Sequence, residues 1–277
     1  MNLIEILKVI VIGIVEGFTE WLPISSTGHM ILIDELIHPD MTPEFREVFM
    51  VVIQLGAMLA MLLLFFRRLN PFDRRKRPEQ RRATWNLLGK IAAGCVPAGI
   101  LGLILNRWIE EHLFTPYVVA AMLILYGILY IVIEERNRTK LPEITKVSRI
   151  SYQTALYIGL FQCLALVPGT SRSGSTILGA MLLGLSRPAA AEFSFFMGIP
   201  IIAAASLLKL IRYGWSFSGA EYAYLFIGIL TAFLVSVYSV SFFMNWIKKN
   251  DFKLFGYYRI ALGIIVLLWF AINAIVS

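Results

Sequence analysis

Long stretches without a single charged residue constrain this chain more than any other feature. Phe49–Phe66, Leu113–Ile133, Tyr222–Ile247 and Ile260–Ser277 carry none. Apolar runs of about 18 or more residues are long enough to cross a bilayer as helices. Charged residues make up 16% of the chain and mean hydropathy is +0.74, well short of the roughly one quarter charged that is usual in soluble domains. The expectation is an all-α integral membrane protein. Glu5 lies where a secretory signal would be basic, and no small-x-small cleavage site follows the first apolar run, so the N-terminus does not read as a signal peptide. Cys95 and Cys163 both sit in apolar segments, which favours buried thiols over a disulfide or a metal site.

The net charge of +7 is concentrated in loops rather than spread as a nucleic-acid footprint. Eight basic residues crowd between Arg67 and Arg82, and five more lie between Arg136 and Arg149. Short basic loops beside membrane spans mark the cytoplasmic side. With those loops inside, spans at about 84–105 and 115–134 go out and return through a turn near His112. A span at about 46–66 starts outside. Lys248, Lys249 and Lys253 suggest a third cytoplasmic loop, entered by a span at about 222–247 and left by one at about 255–276.

Residues 3–37 and 150–187 do not fit that template. Each is apolar but broken, by Pro23 and by Pro168, with a polar cluster beside each proline. Proline disrupts a helix interior, and irregular backbone at membrane depth survives only where protein or water satisfies it. Each region reads as a re-entrant hairpin of two half-helices, the first opening outward and the second to the cytoplasm, giving about six transmembrane helices plus two hairpins. The hairpins resemble one another. Gly13, Glu16, Ser25, Thr27, Gly28, Ile31 and Leu32 stand 146 positions before Gly159, Gln162, Ser171, Ser173, Gly174, Ile177 and Leu178. Three spans follow each hairpin, an odd number, so the halves would be inverted: repeat 1 over about 1–134, a cytoplasmic linker over about 135–149, and repeat 2 over about 150–277. In such folds the broken helices meet near the midplane and carry the polar site.

Two clusters hold residues fit for chemistry. Glu16 and Glu20, four apart, share one helix face, and inside a membrane they need a cation, a basic partner or protons. A divalent ion held by paired carboxylates is one answer; an interfacial pair facing water is another. Ser25-Ser26-Thr27-Gly28-His29 adds hydroxyls and an imidazole, the material of nucleophilic catalysis or, equally, of a helix cap. In the second cluster, Pro168–Thr176, Arg172 stands among Ser171, Ser173, Ser175 and Thr176, with Gly169 and Gly174 to admit a ligand close to the backbone. The serines precede a helix whose free N–H groups favour anions, and a guanidinium suits phosphate oxygens. Together the clusters would hold a phosphate group and attack it.

EGFTEWLPISSTGH at Glu16–His29 and PGTSRSGST at Pro168–Thr176 resemble the two signature regions of the undecaprenyl-diphosphate phosphatase family of the bacitracin-resistance type. The first matches its (E/Q)xxxE region and the second its PGxSRSxxT pattern at every specified position. The resemblance implies an enzyme of the bacterial plasma membrane that hydrolyses undecaprenyl diphosphate to undecaprenyl phosphate and inorganic phosphate, recycling the lipid carrier of cell-wall synthesis. It also implies a divalent cation, Mg²⁺ or Ca²⁺, and a site open to the outer face. Carried over by position, Glu20, His29 and Arg172 are the core residues, with Ser26 as a candidate nucleophile and His29 as its base. His29 itself or a directed water are the other candidates for the nucleophile. Ser25, Thr27, Gly169, Ser171, Ser173 and Thr176 would bind the diphosphate, and Glu16 with Glu20 the metal. Expected partners are the membrane and the lipid substrate, with self-association as a homodimer and no nucleic acid. A transporter of polyprenyl phosphates, using the same phosphate cradle, is the rival reading. No GxxxxGK[ST] sequence is present, so nothing points to nucleotide-driven pumping.

Overall fold

Eleven α-helices fill the described part of the chain, and their order is set by where polar caps and prolines interrupt the apolar runs. The computed structural model describes residues 2–276. Helices α1 (Leu3–Thr19) and α2 (Ser26–Ile37) form a short pair; α3 (Pro43–Val52) and α4 (Gln54–Leu69) are almost continuous. Then come α5 (Pro78–His112) and α6 (Pro116–Asn137). A second short pair, α7 (Tyr152–Leu164) and α8 (Arg172–Leu182), precedes α9 (Arg187–Tyr213), α10 (Gly219–Trp246) and α11 (Lys253–Val276). Proline opens α3, α5 and α6, where its missing N–H costs nothing, and Thr42, Thr115, Ser151 and Ser218 cap their helices with a side-chain oxygen.

Among the described residues six helices are long and apolar enough to cross a membrane, α3 and α4 counting as one over Pro43–Leu69. Helix α5 begins six residues before the expected start and ends seven beyond the expected end. Its ends carry charged residues that leave the apolar layer while the backbone stays helical, so an apolar window cuts it short. The lipid-facing surface is itself apolar: Leu103, Ile104, Phe226 and Leu234 are each more than half exposed. In water such a surface would aggregate; in a bilayer it meets a solvent of its own kind.

The helices pack in pairs that exchange when the two halves of the chain are exchanged. Helix α1 lies on α10 as α7 lies on α5, α4 meets α10 as α9 meets α5, and α6 crosses α11. At that last crossing a Cβ on either Gly127 or Gly256 would come within 2.7 Å of the other's carbonyl oxygen. Only glycine admits so close a contact, and close backbone approach is how helices associate where lipid removes the hydrophobic drive.

Ion pairs tie helix ends together at both ends of the bundle. At one end Lys253 pairs with Glu135 (2.5 Å), Arg187 with Glu134, and Lys90 donates to the Ser148 carbonyl (3.3 Å). The basic stretches gather here. At the opposite end Lys209 bridges Glu47 (3.1 Å) and Glu110 (3.2 Å), and Tyr213 donates to Glu47.

Candidate active site

The two short helix pairs bring their broken tips together in the middle of the bundle. The first break runs over residues 20–25 and the second over 165–171. They share an uncommon geometry: Ser25 and Ser171 both have φ of 72°, and each caps the following helix by accepting from the glycine three residues on. A non-glycine residue at such a φ is strained and persists only where its surroundings hold it. Here the return is an open helix N-terminus on each side of one small polar centre.

Glu20 is the hinge of that centre. Its Oε1 accepts from Arg172 Nη2 at 3.0 Å, and its Oε2 accepts from Ser26 Oγ at 3.0 Å. Arg172 also donates from Nη1 to the Ser194 carbonyl (3.0 Å) and lies over the Trp21 ring, 5.2 Å from its centroid. Gly198 makes room for it, since a Cβ there would stand 2.5 Å from the guanidinium carbon. Ser173 Oγ is 3.3 Å from the Glu20 carbonyl and 3.2 Å from Ser171 Oγ. Ser26 and Arg172, from the two halves of the chain, thus share one carboxylate.

Other expected residues take different places. Thr176 lies behind the centre, its hydroxyl 2.5 Å from Ser194 Oγ and donating to the Arg172 carbonyl at 2.8 Å. It positions α8. Gly169, at φ 88°, turns its carbonyl toward Arg259. Thr27 lines a cleft described below. His29 does not hydrogen-bond to Ser26. Its Nδ1 is 2.7 Å from the Ser25 carbonyl, which can only accept, so in the neutral ring Nδ1 carries the proton and Nε2 accepts from Tyr258 OH at 2.7 Å. The hydroxyl of Ser26 therefore faces Glu20, not an imidazole.

Arg259, on α11, escaped the sequence reading although its signal was present. It is a lone cation inside an apolar span, the same anomaly that drew attention to Arg172. It is fully buried and donates to three carbonyls, Pro23 (3.3 Å), Gly169 (2.9 Å) and Thr170 (2.9 Å). One guanidinium thus pins both broken segments. Tyr258 and Trp21 had no comparable signal, because aromatic residues are ordinary in membrane helices.

A cleft of about 520 Å³ leads from this centre to the end of the bundle where Lys209 bridges Glu47 and Glu110. Glu16, Ser26 and Thr27 lie on it, Met30, Met50 and Val51 give it apolar walls, and Arg46 and Lys209 stand along it. Glu16 is fully buried and both its carboxylate oxygens lack a partner. Among the described residues no three His, Cys, Asp or Glu side chains gather as a metal cluster. Glu16, with both carboxylate oxygens unmet and one helical turn from Glu20, nevertheless fits a hard divalent cation whose remaining ligands would come from water and phosphate.

A family model described as bacitracin resistance protein BacA matches residues 9–265. An undecaprenyl-diphosphatase of Enterococcus faecalis is 53% identical, over 98% of this chain and 99% of its own. One of Desulfitobacterium hafniense is 52% identical over the full length of both chains. One of Lachnoclostridium phytofermentans is 54% identical over 96% of this chain and 97% of its own.

Proposed function

This chain belongs to the bacitracin resistance protein BacA family, and from that premise we propose that it hydrolyses undecaprenyl diphosphate to undecaprenyl phosphate and inorganic phosphate. The product is the lipid carrier that cell-wall precursor synthesis consumes, and its regeneration contributes to bacitracin resistance. The observation that carries the proposal is the Glu20 carboxylate shared between Ser26 and Arg172.

The chemistry follows from that arrangement. Arg172, Ser171, Ser173 and the free N–H groups opening α8 take the terminal phosphate and the charge that spreads over its oxygens in the transition state. As Arg172 turns to the diphosphate, Glu20 is released to accept the proton of Ser26. The Ser26 Oγ–P bond forms while the bond from phosphorus to the bridging oxygen breaks, and undecaprenyl phosphate leaves with the electron pair. Water then cleaves the phosphoserine, giving inorganic phosphate and restoring the hydroxyl. The base in this scheme is Glu20, which contacts Ser26, while His29 positions the Ser25 carbonyl. Glu16 and Glu20 would hold a divalent cation, Mg²⁺ or Ca²⁺, which when bound neutralises phosphate charge. The isoprenoid tail lies along apolar walls between helices, driven there by burial.

The cleft opens at the end opposite the basic stretches. The positive-inside rule places those stretches in the cytoplasm, so the site faces the outer side of the plasma membrane. The interchangeable helix pairs and the twin strained serines support an inverted repeat with two re-entrant hairpins.

The test is phosphate release from undecaprenyl diphosphate by protein purified in detergent, with and without chelator, beside Arg172→Ala and Glu20→Ala. Release that falls about 10²-fold or more in each variant and stops on chelation is expected. Folded protein that binds the lipid and moves it between leaflets without releasing phosphate would overturn the hydrolase reading in favour of a carrier.

A further inference from the structure

A second cavity, of about 530 Å³, lies at the other end of the bundle, and the reaction above makes no use of it. We propose that it binds a phosphate group of the kind an anionic lipid headgroup carries. Its walls are the end of α6, the linker that follows, the turn between α8 and α9, and the end of α10. Five cations line it, Arg136, Arg138, Lys140, Arg187 and Lys248, against two carboxylates, Glu134 and Glu143.

The charges do not cancel locally. Glu134 is buried and satisfied: it accepts from Arg187 Nε (2.8 Å) and Nη2 (2.5 Å) and from the Phe252 N–H (2.9 Å). That removes Glu134 and Arg187 together. Arg138 is paired with Glu135 at 3.1 Å. Arg136, Lys140 and Lys248 have no ion pair among the described residues, and Glu143 alone opposes them. Three exposed cations thus face the cavity against one carboxylate, a balance that attracts an anion.

The pocket is also built rather than incidental. The linker could have been a loose tether, yet it is fastened to the α8–α9 turn by a bridge between Ile144 and Leu185. Glu143 N–H donates to the Gly184 carbonyl (2.9 Å), Ser186 N–H donates to the Ile144 carbonyl (2.9 Å), and Val147 is fully buried. The Arg67–Arg82 stretch carries more cations but lines neither cavity, so basic loops do not of themselves produce such a space. Its volume suits a headgroup, and it lies at the ends of two spans, where headgroups sit. Basic pockets between helices on the cytoplasmic side recognise anionic lipid phosphates, and guanidinium matches their oxygens. Inorganic phosphate shares that chemistry.

Retention of phosphatidylglycerol and of phosphatidylcholine by the purified full-length protein, read by native mass spectrometry, tests this. The cavity variant is Arg136→Gln with Lys140→Gln. The control is Arg77→Gln with Arg81→Gln, which removes equal charge from the same end outside the cavity. Phosphatidylglycerol retention is expected to fall about twentyfold in the cavity variant only, with phosphate release unchanged in detergent. Displacement of the retained lipid by millimolar inorganic phosphate would identify a soluble phosphate as a competent ligand. Retention that resists it would identify the headgroup. Equal losses in both variants would reduce the effect to diffuse surface attraction and overturn the proposal, as would no loss in either.

Discussion

Arg172 and Arg259 pose the same problem and solve it in opposite ways. Each is a guanidinium inside an apolar bundle, where a charge without partners costs several kcal/mol. Arg172 answers with a carboxylate, and so can exchange that partner for a phosphate. Arg259 answers with three backbone carbonyls that no ligand can replace, so its part is to position the two tips. Arg259→Ala should lower stability by about 3 kcal/mol or more, because it leaves three buried acceptors unmet, and should be seen as a lower melting temperature in detergent. Tyr258→Phe is milder and more informative. The chain has only three histidines, so their ¹⁵N resonances are resolvable. Removing the Tyr258 hydroxyl should leave His29 in the Nδ1–H tautomer that the Ser25 carbonyl fixes, and shift its Nε2 resonance as that nitrogen loses its donor, while the fold survives. An unchanged His29 spectrum would show that Tyr258 does not hold the ring. Of these side chains, Glu20, Ser26 and Arg172 stood out in the sequence because carboxylate, hydroxyl and guanidinium interrupt apolar stretches, and the structure brings the three together. The pairing of Ser26 with Glu20 rather than His29 was not legible there, since both stand near Ser26 in the chain and only the folded break between α1 and α2 sets the hydroxyl against the carboxylate.

Helices that cross lipid hold together by fit, and the α6–α11 crossing shows it. Gly127 and Gly256 each face the other's carbonyl, so one methyl group must push the backbones apart. Gly127→Ala should therefore leave little folded protein in a thermal or size-exclusion assay, a loss of at least about 2 kcal/mol. Gly99, on α5, meets nothing within 4 Å of a Cβ. Gly99→Ala should be neutral or stabilising by up to about 1 kcal/mol, as helix propensity dictates. Equal behaviour of the two variants would remove the close-packing account. Five of the six spans were readable from apolar length, and the two breaks from proline beside polar residues; α9, with Arg187, Glu192 and Lys209 along it, received no bounds. The true ends of α5 were not readable, because helical backbone continues into charged sequence once it leaves the apolar layer.

Sidedness belongs to the assembled bundle, since it joins loop charge to the direction in which the cleft opens. Leu141 is 92% exposed in the basic linker, and Phe114 is exposed at the opposite end beside the cleft. With Cys95 and Cys163 replaced by alanine, a single cysteine at 141 should react with a membrane-impermeant maleimide only after the cells are opened. One at 114 should react in intact cells. Labelling in the reverse order would turn the active site to the cytoplasm.

Membrane residence, helical class and the residue types of the site were already decided by the order of residues, because apolar length, proline and paired polar motifs act locally and need no partner to be recognised. Which carboxylate serves Ser26, that a guanidinium from α11 locks both tips, and that a fastened linker encloses a basic cavity depended on folding. Each joins residues distant in the chain through geometry that no local pattern records.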